Sequence, residues 1–554
     1  QCSLSELMYY TWWLRTSSKL KDNKMFGTCN REKLWGLLCL IQLAVLALAD
    51  LHAQPPPRRG MQRVPNIVLV ENMATTNRKT PPAEMEPKFW NDLAHAELQK
   101  RINEPLNKNR AKNVILFLGD GMPLTAITAA RILQGQRVGY SGEEQLLSFE
   151  KFPVTGLSRT YCTNAQVADS ACTATAYLTG VKSNGLMLGV NAKVNYNNCT
   201  ASMDPANHLT SLYDWAQAAG KASGFVTTTS LTHASPSGGY AHVANRQWQC
   251  DADVLEYDND PNTCTDMAQQ LISQQPGRRL DVLMGGGMGK FLPNTITDFF
   301  GNRGERLDGR NLLTRWQNLH PNGAITRNRD ELLRVNITKV SNIMGLYGSR
   351  LMEYHLKADD NQPTLAEMTG VALAFLNQKP NGYFIFIEGG LIDYGNHENK
   401  LGIALDELLE FDKAIHLARI MTDPAETLIV VTADHGHPLS FAGFPERGND
   451  ILGLNNVAQG LDGIPYATMD YAVGPQQYMN PNGTRMDLTD KMGDPEFVMP
   501  SYIDLTYGVH SGEDVAVYAS GPWEHLFTGV MQQNLLPHLM AYASCIGDGA
   551  KMCG

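Results

Sequence analysis

Acids and histidines recur in this sequence directly after apolar runs or close to glycine. These positions are Asp120, Glu388, Asp393, His397, Asp434, His435 and His510. Each one alone has an ordinary explanation, since a single histidine is most often a structural residue. Together they are hard to explain as structure, because a buried unpaired acid costs several kcal/mol unless a cation compensates it. The set therefore predicts a metal centre.

The residue types in this set indicate which metals would bind. Asp393 and His397 are four residues apart, so on a helix they would share one face and suit one ion. Imidazole and carboxylate without thiolate are typical of zinc, whereas acids with a hydroxyl and water suit magnesium. Two zinc ions about 4 Å apart stabilise both the attacking and the leaving oxygen of a phosphoryl transfer. Two-metal phosphoryl transfer is the reaction that this set predicts.

Ser170 is the candidate nucleophile. It follows Asp169 in the stretch Val167–Gly180 and precedes small residues that favour a helix. The first turn of a helix favours an anion, since its N–H groups are unpaired and the helix dipole is positive there. The ordinary alternative is that Ser170 is only an N-cap. Arg246, in H-V-A-N-R-Q-W, offers a planar fork for two oxygens of a phosphate.

Apolar runs of strand length must place these residues at one edge of a sheet. The runs are the one that ends at Asp120, followed by Ala222–Thr229, Tyr383–Ile387, Thr427–Thr432 and Val515–Tyr518. In open parallel sheets, ligands bind beyond the carboxyl ends of the strands. Between the runs, apolar residues recur at helical spacing, as in Tyr394–Ile420, and this pattern predicts helices on both faces of the sheet. We therefore expect an α/β fold with a large mixed, mostly parallel sheet.

The rest of the chain predicts its organisation. Residues 87–104 have apolar residues at near-helical spacing and predict an amphipathic lead-in helix. Residues 438–508 are rich in glycine, proline and asparagine and predict a loop-rich, crown-like insertion. The expected units are upstream residues with a signal peptide (1–53), a linker (54–86), the core (87–437), the insertion (438–508) and the end of the core (509–554).

A signal peptide is expected before residue 54. Arg31 and Lys33 precede an apolar run that is too short to span a bilayer comfortably, and Ala49 or Ala53 offers a cleavage site. Met25 is the expected initiator, so residues 1–24 are not expected to belong to the native coding sequence. These features predict the secretory pathway.

Charge and cysteine content limit the function classes further. The formal net charge of -10 argues against a nucleic-acid partner, which would need a basic face. Three glycosylation sequons, at Asn198, Asn336 and Asn482, fit a secreted glycoprotein. Seven cysteines follow the signal segment, and an odd number leaves at least one outside any internal disulfide.

Specific motifs make the chain resemble the animal alkaline phosphatases, most of all the insect membrane-bound form. The resemblance runs from about Phe89 to Cys553. The motifs that carry it are F-L-G-D-G-M, D-S-A-C-T-A-T-A, T-H-A-S-P, I-E-G-G-L-I-D-Y-G-N-H, T-A-D-H-G-H and H-S-G-E-D-V.

The resemblance implies an enzyme that hydrolyses phosphate monoesters through a phosphoserine intermediate on Ser170. It implies a first zinc held by Asp393, His397 and His510, and a second held by Asp120, Asp434 and His435. It further implies a magnesium held by Asp120, Ser235 and Glu388, with His233 supporting that shell through water and Arg246 holding the phosphate. A homodimer is also implied, with residues 438–508 matching the family's crown region.

Some features depart from the family pattern. Tyr394 stands where members carry His or Lys, so we expect a changed phosphate and water network and leave the pH optimum open. The acids of a mammalian calcium site appear here as Gly348 and Gln362, and we predict no fourth metal. Many animal members carry a glycolipid anchor. No hydrophobic tail precedes Gly554, so an anchor would require that the sequence be truncated or processed.

The cysteines are interpreted through the same resemblance. Cys199 and Cys264 match a family disulfide, and Cys545 and Cys553 resemble the C-terminal pair with one more residue between them. The sequence leaves open whether Cys162 and Cys172 bridge each other or stay reduced. The remaining cysteine after the signal segment is Cys250, and its pairing is open as well.

Two other functions are compatible with parts of this sequence pattern. A phosphodiesterase or a sulfatase would use a similar two-metal core, and rates on monoesters and diesters separate these from a monoesterase. A glycosylated surface-binding protein could keep the fold without turnover. Such a protein would be expected to lose a metal ligand, and the sequence retains all of them.

Overall fold

The structure is a computed structural model that describes residues 81–553. The expected signal peptide and residues 54–80 of the expected linker lie outside that part of the chain. The last linker residues contain a single 3-10 turn, Pro82–Met85. Within residues 81–553, none of the helices has the length and apolar character needed to span a bilayer.

The described part contains strands and helices in alternation. The strands are β1 (Asn113–Gly119), β2 (Val154–Arg159), β3 (Ala222–Ser230), β4 (Val282–Gly286), β5 (Ala324–Thr326), β6 (Ile343–Leu346), β7 (Tyr383–Gly389), β8 (Thr427–Ala433), β9 (Leu439–Phe441), β10 (Leu454–Gln459), β11 (Pro465–Ala467), β12 (Met469–Gly474), β13 (Ser501–Asp504), β14 (Val515–Ser520) and β15 (Gly529–Gln532). The helices are α1 (Pro87–Asn103), α2 (Leu124–Arg137), α3 (Ser170–Thr179), α4 (Cys199–Met203), α5 (Leu212–Ala218), α6 (Ala234–Ser237), α7 (Asp251–Glu256), α8 (Met267–Ser273), α9 (Leu312–Leu319), α10 (Arg329–Leu333), α11 (Leu365–Leu376), α12 (Leu391–His397), α13 (Leu401–Met421) and α14 (Leu536–Ser544).

Ten of these strands form one mixed sheet in the order β15-β2-β14-β8-β1-β7-β3-β4-β6-β5. From β8 to β5 all neighbours are parallel, whereas β14 runs antiparallel to both β8 and β2. The predicted α/β fold with a mostly parallel sheet is confirmed. Because β14 is antiparallel, the residues just before it lie at the same edge as the carboxyl ends of β1, β7 and β8.

Both faces of the sheet are covered, as the continuous apolar runs predict. Phe386 of β7 stacks on Tyr177 of α3, with ring centroids 6.0 Å apart. On the opposite face, Phe117 of β1 meets Phe411 of α13 edge to face at 5.8 Å. Helices α3 and α13 therefore pack against the same central strands from opposite sides.

The single helix expected over Tyr394–Ile420 is wrong, because two helices occupy the range. Helix α12 ends at His397, α13 begins at Leu401, and Asn399 between them has φ +53°. Asparagine tolerates this left-handed conformation better than most residues. The backbone at the break bonds to the last residue of the insertion, since Gly508 N–H donates to the His397 carbonyl at 2.6 Å.

Two further segments depart from a simple core. Helix α1 forms where a lead-in helix is expected, but it buries none of its residues, so its apolar residues lack the packing partner that an amphipathic helix requires.

Residues 438–508 hold a two-stranded sheet (β10-β11) and a three-stranded sheet (β13-β12-β9). The boundaries expected for this insertion remain a prediction.

Three disulfides are present in the described part: Cys162–Cys172, Cys199–Cys264 and Cys545–Cys553. Two of them are the pairs that the family resemblance implies. The open question about Cys162 and Cys172 is thereby answered, since they bridge each other. Cys250 is a buried free thiol.

Candidate metal-assisted active site

Ser170 is the first residue of α3, and its hydroxyl is buried. The N-cap is Asp169, whose carboxylate accepts from the N–H groups of Ala171 at 3.2 Å and Cys172 at 3.4 Å. The capping interpretation of Ser170 is therefore wrong, and the neighbouring acid performs that role. Ser170 Oγ lies 3.2 Å from Nε2 of His435 and 3.5 Å from Oδ1 of Asp120.

Asp120, Asp434 and His435 form one group at the carboxyl ends of β1 and β8. Nε2 of His435 lies 3.1 Å from Oδ2 of Asp434 and 3.5 Å from Oδ1 of Asp120, and all three side chains are fully buried. Oδ1 of Asp434 accepts from the N–H of Gly121 at 3.0 Å. Burial, together with the charge of Asp434, raises the pKa of Asp120 well above its usual range. Burial would lower the pKa of His435 but Asp434 raises it, so this one imidazole supplies at most a single positive charge for the two carboxylates.

Asp393, His397 and His510 form a second group. The four-residue spacing in α12 places Nε2 of His397 3.3 Å from Oδ2 of Asp393. Nδ1 of His397 lies 2.6 Å from the Gly508 carbonyl, and Nδ1 of His510 lies 2.8 Å from the Ala168 carbonyl. A carbonyl only accepts, so both Nδ1 atoms carry hydrogens, and in the neutral rings both Nε2 atoms hold lone pairs. These two Nε2 atoms are 3.0 Å apart.

Lone pairs that converge in this way beside a carboxylate fit a cation. Nε2 of His510 is also 3.6 Å from Oδ1 of Asp393. Without a metal ion the two Nε2 atoms can approach this closely only if one of them carries a proton, and the Nδ1–H bonds hold both rings in this orientation. Hydrogen bonds of this kind from the second ring nitrogen are typical of histidines that bind metals.

A third group surrounds Glu388 at the end of β7. Oε2 of Glu388 accepts hydrogen bonds from Thr227 and from Thr229, the latter at 3.3 Å. Ser235 Oγ donates to Oδ2 of Asp120 at 3.1 Å. Burial raises the pKa of Glu388 to about 7, and its Oε1 is buried with no hydrogen-bond partner.

His233 completes this third group. It offers a ligand nitrogen within 4.8 Å of carboxylate oxygens of Asp120 and Glu388. The unpaired Glu388 oxygen, the hydroxyl of Ser235 and the second oxygen of Asp120 are hard oxygen ligands, as magnesium prefers. The donors of all three groups therefore fit the metals that the sequence predicts.

Arg246 lies at the side of the site, close to the start of α3. Its Nη1 donates to Oδ2 of Asp169 at 3.1 Å, and its Nη2 is 3.3 Å from Nε2 of His233. Asp169 therefore caps the helix that begins with Ser170 and also holds the guanidinium. Burial would lower the pKa of Arg246, but Asp169 and Asp120 raise it above its ordinary value, so the side chain remains a cation.

His437 is a buried member of the site that the sequence analysis did not assign. Its Nε2 donates to Oδ1 of Asp393 at 2.7 Å. Burial would raise the pKa of Asp393, but His397 and His437 lower it well below its usual range. The signal was present in the sequence as the second histidine of Asp434-His-Gly-His437. Thr173 also went unassigned, and its hydroxyl donates to Oδ2 of Asp434 at 3.3 Å.

The structure thus brings every predicted site residue to one edge of the sheet. Asp120, Ser170, Asp434 and His435 are in direct contact. Asp393, His397 and His510 adjoin them, since the His435 and His510 rings stack with centroids 3.5 Å apart. Tyr394 lies beside His233, with ring centroids 6.0 Å apart.

Known proteins share both the sequence and the fold. The family model "Alkaline phosphatase" matches residues 111–546. The membrane-bound alkaline phosphatase of Bombyx mori is 43% identical over 484 residues, which are 85% of this chain and 88% of that protein. The alkaline phosphatase of Gadus morhua is 45% identical over 482 residues, 84% of this chain and 99% of that protein.

A solved structure supports the fold independently. An alkaline phosphatase mutant from the Antarctic bacterium TAB5, with Mg bound in its M3 site, superposes with a TM-score of 0.56 at 22% identity. The match covers 80% of this chain and 100% of the other. On the family match and the identity to these relatives, the chain belongs to the alkaline phosphatase family.

Proposed function

We propose that this protein hydrolyses phosphate monoesters with Ser170 as nucleophile and with bound zinc and magnesium. The observation that carries the proposal is the position of the Ser170 hydroxyl, 3.2 Å from a His435 nitrogen and 3.5 Å from an Asp120 oxygen in a buried cluster. An ordinary helix N-terminus has no reason to face two acids and an imidazole that lack a compensating charge. Membership of the alkaline phosphatase family points to the same reaction.

Two zinc ions and one magnesium are proposed, in three groups of residues. The first zinc would be held by Asp393, His397 and His510. The second would be held by Asp120, Asp434 and His435. The magnesium would be held by Asp120, Ser235 and Glu388, with His233 in support. When bound, such cations stabilise negative charge on oxygen and lower the pKa of a coordinated oxygen ligand.

Ser170 would act from the start of α3. Its Oγ attacks phosphorus as the bond to the leaving alcohol breaks, which gives a phosphoserine. Water then attacks the same phosphorus, releases inorganic phosphate and restores the hydroxyl. The N-terminus of α3 favours the charged phosphoryl group, because the helix dipole and the first N–H groups are positive there.

Arg246 would hold the phosphoryl group from the side. Asp169 accepts from one arm of its guanidinium, which limits rotation of the side chain and leaves other N–H groups for phosphate oxygens. The held geometry reduces the entropy lost when the phosphate binds. Because these contacts involve only the phosphoryl group, we expect the enzyme to accept many leaving alcohols.

Phosphate release from an aryl phosphate at alkaline pH tests this proposal. The wild-type protein, loaded with zinc and magnesium, should release phosphate from the monoester much faster than from the matched diester. Ser170→Ala should lose activity by several orders of magnitude and keep its bound zinc. Ser202→Ala is a matched control, because Ser202 is also buried but lies in α4. Full activity in Ser170→Ala, or a preference for diesters or sulfate esters, would contradict the proposal.

We also propose a homodimer. Helix α1 supports it, because apolar residues of α1, among them Trp90, Leu93 and Ile102, are more than half exposed. Apolar side chains on one element without a partner are typical of an interaction surface. Leu93→Lys together with Leu98→Lys should convert the dimer to monomers in sedimentation experiments. A monomeric wild-type protein would contradict the proposal.

The secretory pathway is the proposed route, with the mature protein outside the cell or at the outer face of its membrane. Three disulfides support an oxidising compartment. Asn336 and Asn482 are exposed, and the Oδ1 atom of each accepts from the hydroxyl of the threonine two residues later. Glycosidase treatment of the secreted protein should therefore lower its mass.

Glycolipid attachment is a further proposal, and release of the protein from membranes by a phospholipase specific for that anchor tests it.

A further inference from the structure

The backbone of Gly121, the residue that follows Asp120, is held at both its N–H and its carbonyl. The Gly121 N–H donates to Oδ1 of Asp434 at 3.0 Å, and the Gly121 carbonyl accepts from Nδ2 of Asn396 at 3.1 Å. Gly121 has φ +62°, and a Cβ there would lie only 2.5 Å from Oδ1 of Asp393. The backbone of this one residue thus links the turns that carry ligands of both proposed zinc sites.

Asn396 is the side chain that holds the carbonyl. It lies in α12 between Asp393 and His397, and it is fully buried. Its Oδ1 accepts from the hydroxyl of Tyr471 at 2.6 Å. The Gly121 carbonyl can only accept, so the amide NH2 must face it and the amide oxygen must face the tyrosine. The orientation of the amide is therefore fixed by its two partners.

Tyr471 belongs to the insertion, on strand β12. Its side chain is 1% exposed, and its N–H donates to the Pro500 carbonyl at 3.0 Å. Nearby, Met499 N–H donates to the Asn399 carbonyl at 2.8 Å, which attaches the insertion to the break between α12 and α13. Tyr471 is thus a side chain of the insertion that reaches an amide flanked by two proposed metal ligands.

We infer that Tyr471 is a positioning residue of the proposed metal centre, acting through Asn396 on the backbone of Gly121. The inference rests on the proposed metal sites. Without the hydroxyl, Oδ1 of Asn396 would be buried with no donor, and the amide would no longer be held in one orientation. Gly121 would then lose its fixed position between Asp434 and Asn396. The insertion thereby contributes to metal retention as well as to the surface.

Zinc release from the loaded enzyme tests this inference. Tyr471→Phe removes one oxygen and keeps the ring, and we expect it to transfer zinc to a chelating dye about 10-fold faster than wild type. Tyr347→Phe is the matched control. Its hydroxyl is also buried, 2.8 Å from Oγ1 of Thr326, but it follows β6 near the far end of the sheet. We expect the control to release zinc at the wild-type rate.

A double variant tests the path through the amide. Asn396→Leu should also release zinc faster, and adding Tyr471→Phe to it should change the rate no further. Equal rates in Tyr471→Phe and wild type would overturn the inference. Equal acceleration in Tyr347→Phe, or additive effects in the double variant, would overturn it as well.

The result for the wild-type protein separates this inference from the proposed function. A purified wild-type protein that takes up no zinc contradicts the proposed function and the inference with it. A wild-type protein that holds zinc, with unchanged release in Tyr471→Phe, contradicts only the role of Tyr471.

Discussion

Tyr394 brings a neutral group to the side of the proposed phosphate site. Burial raises its pKa to about 12, although Arg246 opposes that shift. The phenol therefore stays protonated throughout the alkaline range and adds no charge beside Arg246. A histidine at this position would be neutral at pH 10, and at pH 6 the negative charge of a bound phosphate would favour its cationic form.

Substitution at Tyr394 should therefore change phosphate affinity only at low pH. We expect Tyr394→His to bind inorganic phosphate about fivefold more tightly than wild type at pH 6, as for a charge interaction of ~1 kcal/mol. At pH 10 the two proteins should differ little. Inhibition constants for inorganic phosphate at both pH values measure this effect. Tyr394→Phe is the control, and its affinity relative to wild type should be the same at pH 6 and pH 10.

Glu407 is a buried carboxyl on α13, outside the metal groups. Its Oε1 accepts from the His355 N–H at 2.7 Å, while Asp406 and Glu410 on the same helix add negative charge. Burial raises its pKa to about 8 from an ordinary 4.5. Below pH 4.5 the carboxyl is protonated in both the folded and the unfolded chain. Between these values unfolding releases a proton, so stability falls as pH rises to about 8.

Glu407→Gln should remove that loss of stability. We expect the variant to unfold at a higher temperature than wild type at pH 9, and at a similar temperature at pH 4. Each pH unit of the window corresponds to about 1.4 kcal/mol for one group. Thermal unfolding of the loaded proteins at both pH values tests this. Glu256→Gln, at an exposed position of α7, should behave as wild type. A variant less stable than wild type at pH 9 would be evidence against a protonated Glu407.

At the scale of elements, the three disulfides close loops of different lengths. Cys199–Cys264 spans 65 residues, whereas Cys162–Cys172 spans 10 and Cys545–Cys553 spans 8. In the chain-entropy account, a longer loop restricts the unfolded chain more. Cys162–Cys172 also restrains the first turn of α3, because Cys172 lies in that turn, two residues after Ser170.

Replacing both cysteines of one disulfide by serine should separate the effect on the unfolded chain from the local effect on α3. We expect removal of Cys199–Cys264 to lower the free energy of unfolding by about 4 kcal/mol and removal of Cys162–Cys172 by about 3 kcal/mol. Only the second change should lower activity per folded molecule, because it frees the first turn of α3. Denaturant unfolding and phosphate release on the same samples measure both quantities. Equal activity losses in the two variants would contradict a local effect on α3.

The strands that carry the site could be predicted from local sequence, since fully buried strands are continuous apolar runs. Strands β1, β3, β7, β8 and β14 lie where those runs predict them. Their order could not be predicted, because Val114 pairs with Phe384 on one side and Leu428 on the other, far along the chain. The helix break at Asn399 also could not be predicted from local spacing, since the Met499 N–H that bonds the Asn399 carbonyl lies far along the chain.

In the candidate site, too, local sequence predicts some residues, whereas contacts between distant parts of the chain determine others. Residues at strand ends, such as Asp120 and Asp434, could be identified because a strand and a glycine mark them. The motif marks His437 as a candidate but does not reveal its partner, because Asp393 lies on another element. The roles of the predicted site residues stay predictions until metal content and variants are measured.

At the scale of the whole molecule, the three groups of proposed metal ligands lie inside the core. Asp120, Glu388, Asp393 and Asp434 are each at most 5% exposed. Cations at these groups would therefore stabilise the entire fold, because they bind the folded chain and not the unfolded one.

Metal removal should for this reason lower stability as well as activity. We expect prolonged chelation to lower the unfolding temperature by several degrees, and zinc with magnesium to restore it. At a free zinc concentration 1,000 times the dissociation constant, the stabilisation from one site is about 4 kcal/mol. Calorimetry of chelated and reloaded protein measures the change. An unfolding temperature that is independent of metal would contradict cation binding within the core.

The pairing of β1 with β7 and β8 also determines when the site can form. The first of the proposed metal ligands is residue 120 and the last is residue 510, so a growing chain carries Asp120 long before its partners exist. Contacts of such high sequence separation form slowly, and unpaired apolar strands favour aggregation in the meantime. A ribosome-bound chain that ends before Ala433 therefore lacks a complete β8 and a complete sheet centre. We expect such chains to depend on chaperones, with metal uptake following release of the full chain.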